Sequence, residues 1–210
     1  MSTDATKWLN VGADGVGRCW WAGTADDYIE YHDTEWGRPV SDDVQLFEKI
    51  CLEGFQSGLS WLTILRKREN FRDAFAGFEI ATVAGFDDDD VERLIQDAGI
   101  VRHRGKILSA INNAGKALEI IQEFGSLASF VWAYEPVEIE GDRDGEWPVP
   151  STTPTSVALA KEIKRRGWSF VGPTTVYAFM QAMGLVNDHM PGCAAGVECE
   201  LARAGFTRPG

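Results

Sequence analysis

The chain predicts an all-α fold. Apolar residues recur at helical spacing, helix start and stop signals bracket the runs, and 210 residues with 44% hydrophobic content are enough to build a real core. Val44, Phe47 and Cys51 repeat at i, i+3 and i+7, with Ser41 or Asp42 placed to cap that helix. Ile107, Ala110, Ile111, Ala114, Leu118 and Ile121 mark a long amphipathic helix beginning near Gly105. Asp88 or Asp89 can cap a helix ending near Ala98, Thr155 or Ser156 can cap another, and Gly184 stands where a helix from about Thr175 to Met183 should stop. Few strands are expected. Residues 1–17 are rich in Gly, Asp and Thr and read as a flexible leader, residues 18–193 as one helical domain of two packed lobes, and residues 194–210 as a similar tail. Glu135–Pro154, with four prolines among acids and glycines, reads as a long surface loop.

Composition narrows the function. No run approaches the roughly 20 apolar residues of a membrane span, and the N-terminus lacks the pattern of a secretory signal, so a cytoplasmic protein with no membrane partner is expected. Four unevenly placed cysteines do not make a disulfide framework. A net charge of −12 argues against a nucleic-acid partner at first sight, because duplex binding relies on Lys and Arg replacing counterions. Yet Asp87–Arg93 and Glu135–Glu146 carry nine of those twelve charges. Three basic clusters lie outside them: Arg66 to Arg68, Arg102 to Lys106, and Lys161 to Arg166. A locally basic face remains open.

Cys19 and His32 near one end, and His189 and Cys193 near the other, form a Cys2His2 set of the closed, tetrahedral kind typical of structural zinc. Spacing alone leaves open a bland reading of buried thiols and satisfied core histidines. A catalytic metal on His32, Asp33 and Glu35 is weaker, since adjacent residues rarely converge on one ion. Cys51 falls on an apolar helix face and Cys199 in the tail.

Trp20, Trp21, Tyr28, Tyr31, Trp36 and Trp61 crowd the first third of the chain around Glu53. Such crowding is usually core. A carboxylate among ring faces also suits a flat, cationic ligand. In LIQDAGIVRHRGKILSAINNA, two helices join through a short basic turn that can aim backbone N–H groups at phosphate, or be an ordinary turn with solvated bases.

RCWW, YIEYHDTEWGRP, LFEKICLEGFQSGLSWLTILRKREN, VERLIQDAGIVRHRGKI, RRGWSFVG and YAFMQAMGLVNDHMPGC, in this order, resemble the bacterial 3-methyladenine DNA glycosylase I family of the helix-hairpin-helix superfamily. The resemblance covers about Arg18 to Cys193. It implies a two-lobe helix-hairpin-helix fold with a base pocket in the cleft between lobes, and one structural Zn2+ on Cys19, His32, His189 and Cys193 joining the N- and C-terminal segments. It also implies a monofunctional enzyme that flips out and excises 3-methyladenine from alkylated double-stranded DNA; a monomer is expected. Glu53 and Tyr31 match the family's catalytic positions, and Trp21, Tyr28, Trp36 and Trp61 its base-binding ones. Gly58 and Leu59 match the segment that fills the gap left in the duplex; Gly99, Arg102, Arg104, Gly105 and Lys106 match the DNA-gripping hairpin. Two points bear on the match. Trp20 stands where the family commonly has glycine, and residues 99–118 contain no acid, an absence the family shares although other glycosylases of the superfamily carry an aspartate there.

Overall fold

The computed structural model describes residues 5–138, 140 and 149–210; residues 139 and 141–148 of the expected acidic loop lie outside this range. The described chain is mostly helical and divides into two compact units: residues up to Pro39 with Met180–Thr207, and Val40–Phe179 with Arg208–Gly210. No helix among the described residues is long and apolar enough to cross a membrane.

In the first unit, β1 (Leu9–Val11) pairs antiparallel with β2 (Gly17–Cys19), Leu9 opposite Cys19. This small hairpin is the one departure from an otherwise helical fold among the described residues, and it draws residues 9–11 of the expected leader into a strand. Strands of three residues are too short for alternation to announce them. What holds the hairpin is specific: the Arg18 guanidinium bonds Asp14 at 2.8 Å and Asp33 at 2.8 Å, and the Trp8 ring meets Trp20 edge-on at 5.9 Å. The ring that replaces the family's glycine therefore packs on the leader. Next comes α1 (Asp26–Thr34), which opens with Asp26 and Asp27 at the electropositive end of its dipole.

α11 (Ala194–Gly205) occupies the expected tail and buries Cys199, whose thiol contacts the Trp36 carbonyl at 3.6 Å. Ala, Glu, Leu and Arg supply the helix propensity that the tail reading undervalued. Gly184 follows α10 (Pro173–Ala182) at φ +74; a Cβ there would lie 2.5 Å from the Arg38–Pro39 backbone, so no side chain fits.

In the second unit, α2 (Asp43–Gln56) is capped by Asp42, whose carboxylate accepts from the Gln45 amide at 2.8 Å. Asp43, one residue on, accepts from the first amides of α8 (Leu127–Trp132), Leu127 and Ala128, at 3.0 and 2.8 Å. The long α7 (Arg104–Phe124) runs against α5 (Ile80–Ala84) and also meets α2, α8 and α6 (Asp88–Gln96). Short helices α3 (Trp61–Leu65) and α4 (Arg68–Ala74) follow α2. Two caps fall upstream of expectation: Asp87 caps α6, and Thr153 caps α9 (Pro154–Arg165). Pro154 explains the second, because proline at the first helical position lacks an amide and leaves the preceding residue to cap. The core is a run of fully buried phenylalanines, with Phe75 stacked on Phe78 at 5.3 Å and Phe55 against Phe71 at 4.7 Å. Ala76, Gly77 and Phe78 all take positive φ (49°, 66° and 58°), a left-handed turn that seats Phe78 in that stack. For Ala and Phe the conformation costs roughly 1–2 kcal/mol each, offset by aromatic burial.

Candidate active site and metal-ligand cluster

Within the first unit, ligand atoms of Cys19, His32 and Cys193 lie within 4.8 Å of one another, all buried. Each comes from the end of an element: Cys19 closes β2, His32 sits in the last turn of α1, and Cys193 is the N-cap of α11. Cys193 Sγ stands 3.5 Å from His32 Nε2, close to the roughly 3.5 Å edge of a tetrahedron built on ordinary zinc–sulfur and zinc–nitrogen bonds. His189, the expected fourth ligand, falls outside the group of three but adjoins it, its ring 5.1 Å from that of His32.

The surroundings orient these rings. His32 Nδ1 is 2.8 Å from Asp33 Oδ1, and His189 Nδ1 is 2.8 Å from Asn187 Oδ1. Oxygen acceptors at both Nδ1 atoms make these the protonated nitrogens and leave each Nε2 with a lone pair. His189 Nε2 is buried without a hydrogen-bond partner among the described residues, an arrangement that costs about 1–3 kcal/mol unless something supplies one. Burial holds His189 down to about 4, so it stays neutral at physiological pH. The Cys193 thiol is shifted well down, chiefly by the hydrogen bond from Cys19, which is shifted up in turn. The neutral His189 imidazole and the Cys193 thiol, beside Cys19 and His32, make a donor set suited to zinc. Gly37, at φ +84, lets His189 approach; a Cβ there would sit 2.8 Å from His189 Cε1. Asp33 is no separate ligand: it is spent on His32 and Arg18.

Four of the expected base-binding or catalytic rings pack in this unit. Trp21 lies 5.3 Å from Tyr28, 4.8 Å from Trp36 and 5.0 Å from His32, and Tyr28 stacks on Tyr31 at 6.4 Å. Trp36 also meets His189 edge-on at 4.6 Å. Trp21 and Trp36 thus wall the histidines.

Glu53 and Trp61 belong to the second unit, on α2 and at the start of α3, and both are buried. Ser60 fixes the entry to α3 by accepting from the Thr63 amide at 3.2 Å. The Glu53 carboxylate is engaged: Lys49, one helical turn earlier, places its ammonium 2.8 Å from Glu53 Oε1 and 3.2 Å from the centroid of the Trp61 ring. A carboxylate and a ring face do converge on a cation, and the cation belongs to the protein. Sequence reading missed Lys49; the available signal was its i, i+4 relation to Glu53.

The turn between α6 and α7 is tied down by its bases. Lys67 donates to the Ala98 and Gly99 carbonyls at 3.1 and 3.0 Å, and the His103 ring accepts from the Lys106 amide at 3.2 Å to cap α7. Lys106, expected on DNA, is buried and donates to the carbonyls of Phe55 and Ser57 at 2.9 and 2.6 Å. Arg104 pairs with Glu92, whereas Arg102 is exposed with no ion pair among the described residues. Gly99 donates to Asp97 at 2.7 Å, and Gly105 is exposed at the amino end of α7. Gly58, at φ +83 with open space around it, makes the turn that presents Leu59, 42% exposed.

Comparison with solved structures gives the class. The fold is similar to that of a 3-methyladenine DNA glycosylase I structure (TAG; TM-score 0.79, 49% identity, covering 84% of this chain and 98% of that one). The Staphylococcus aureus 3-methyladenine DNA glycosylase I, a structure concerned with 3-methyladenine recognition, matches at TM-score 0.78 and 35% identity, over 85% of this chain and 96% of that one. It is a DNA glycosylase fold. Residues 21–196 match the methyladenine glycosylase family model, and the chain belongs to that family. It is 50% identical over 179 residues to the Escherichia coli K12 DNA-3-methyladenine glycosylase 1, covering 84% of this chain and 95% of that protein. The Haemophilus influenzae DNA-3-methyladenine glycosylase is 45% identical, with 84% and 96% covered.

Proposed function

We propose that this chain excises 3-methyladenine from alkylated double-stranded DNA by hydrolysing the N-glycosidic bond. The observation that carries the reading is the buried Glu53 carboxylate beside the Trp61 face, in a chain half identical to a named 3-methyladenine glycosylase.

A base inside a duplex is out of reach, so the target is flipped out at a cost of a few kcal/mol. Leu59, raised on the Gly58 turn, fills the vacated stack. Arg102 and the exposed amino end of α7 at Gly105 hold the backbone without reading sequence. Gly99 and Lys106 shape the segments around them.

Methylation at N3 makes adenine a cation while it is attached to deoxyribose and a neutral molecule once it leaves. The leaving group is already good. The chain therefore has to select the cation: ring faces stack on it, and Glu53 accepts a hydrogen bond from the exocyclic amine. Water then attacks the sugar carbon without a covalent enzyme intermediate.

Cys19, His32 and Cys193, with His189 as fourth donor, would hold one zinc ion whose contribution is structural. The orphaned His189 Nε2 and the two oriented rings support this reading.

Chromatography of bases released from methylated DNA tests the assignment: 3-methyladenine alone, or with minor 3-methylguanine, is expected, and predominant 7-methylguanine would sink it. Glu53→Gln should reduce 3-methyladenine binding and excision by at least tenfold while shifting the melting temperature little. A parallel loss of folding would give Glu53 a structural role.

A further inference from the structure

We propose that Lys49 is a specificity-determining residue: its ammonium is an internal cation that occupies the Glu53 carboxylate and the Trp61 face, and the substrate must replace it. This deepens the assignment of Glu53 to base recognition and rests on it.

The geometry is unusual for a helical ion pair. Lys49 and Glu53 sit one turn apart on α2 with side chains 7% and 5% exposed, and the ammonium lies 3.2 Å above the Trp61 ring. A solvated i, i+4 pair contributes only tenths of a kcal/mol. Burying one costs the hydration of both charges, and an apolar residue at position 49 would usually serve the fold at least as well. The pair therefore has little stability rationale. It makes sense as a ligand mimic, since Glu53 and Trp61 are held in a cation-binding arrangement before any base arrives.

Three consequences follow from charge alone. A normal adenine is neutral and offers the carboxylate only a neutral hydrogen bond, so it cannot compensate for displacing an ammonium from a buried anion. An N3-methylated adenine still attached to its sugar carries a positive charge and can exchange with Lys49 charge for charge. Once the glycosidic bond breaks, the base leaves as a neutral molecule and loses that advantage. The ammonium then returns to Glu53 and expels the product. No atom of Lys49 takes part in the bond-breaking step; the flexible four-carbon stem only has to swing the ammonium out and back.

The direct test uses the unaltered protein. Lysine acylation with a small anhydride, read by mass spectrometry, should modify Lys49 slowly in the free protein and at least severalfold faster with a saturating duplex that carries a non-hydrolysable, cationic N3-methyladenine analogue. Unchanged Lys49 labelling in a duplex shown to be bound would overturn the proposal. Two variants give an independent reading, each checked for folding by its melting curve. Lys49→Met and the polar Lys49→Gln should bind free 3-methyladenine about tenfold more tightly than the wild type, discriminate less against adenine, and show a lower ratio of steady-state to single-turnover rate because product lingers. Weaker or equal base binding in folded variants refutes the exchange. Glu53→Gln separates the two levels: if it binds base as the wild type does, the assignment of Glu53 itself fails, and the role of Lys49 with it.

Discussion

At the scale of single residues, the buried Cys/His cluster depends on partners outside it. Asp33 and Asn187 hold the Nδ1 atoms of His32 and His189, and Asp33 is itself held by Arg18, which reaches on to Asp14 in the hairpin. Asp33→Ala should therefore lower zinc affinity about 10- to 100-fold. Competition with a chromophoric chelator measures it, and unchanged affinity would remove Asp33 from the metal's support. Residue type and spacing singled out four candidate donors, of which Cys19, His32 and Cys193 lie together. Their supports were not singled out. In sequence Asp33 is merely the neighbour of His32, and only α1 geometry distinguishes an orienting carboxylate from the second residue of an HDTE ligand set. Lys49 was hidden for a related reason, because a lysine on a helix is ordinarily solvated and only burial makes it informative.

At the scale of elements, bases that appear alike in sequence divide by what they hold. Lys106 ties the amino end of α7 to the carbonyls of Phe55 and Ser57, just ahead of the Gly58 turn. Lys106→Met should destabilise the protein by about 2–4 kcal/mol by removing two charge-assisted bonds, and should leave the salt dependence of DNA binding nearly unchanged. Arg102→Ala should do the reverse, with little change in melting but a salt slope smaller by about 1. Equal slopes for the two variants would contradict the division. A second cluster ties α9 to α7: Arg166 bonds Glu162 and Glu123 and lies over the rings of Phe124 and Phe130. Hydrogen bonds from Arg165 and Arg166 hold Glu162 down to about 2 from an ordinary 4.5. A carboxylate depressed in the folded state stabilises above its unfolded pKa and loses that contribution as pH falls through the folded one. Urea titrations of Arg166→Ala and wild type should differ most above pH 4.5 and converge toward pH 2; a constant gap would assign the effect to ring packing alone. Apolar spacing made α2 and α7 legible, and cap or stop signals marked α6, α9 and α10; α3, α4, α5 and α8 are too short to show a repeat. α1 was not legible because its tyrosines sit among Asp and Glu without a repeating stripe, nor was α11, whose apolar residues are mostly small.

At the scale of the molecule, the proposed zinc donors all lie in the unit built from Met1–Pro39 and Met180–Thr207, while Glu53, Leu59 and the turn between α6 and α7 lie in the other. Chelation should therefore raise amide exchange in residues 5–39 and 180–207 before it touches α2 to α9, with loss of excision following. Uniform exchange, or an apo protein that melts normally, would remove the structural role of zinc. The class of fold was legible because whole sequence blocks carry it. The hairpin of β1 and β2 was not, since its evidence is pairing across residues too few to show a pattern. Cys193 meets His32 across 161 residues of chain, and that separation has a meaning in time. At synthesis rates of about 5–20 residues per second, a ribosome makes the first two donors roughly 8–30 s before the last. Throughout that interval Cys19 is an unpaired thiol on a nascent chain, while the segment that becomes α2 to α9 emerges and is free to fold. The order of translation thus allows an order of assembly: the unit of Glu53 has time to fold first, and the Cys193–His32 contact closes after it.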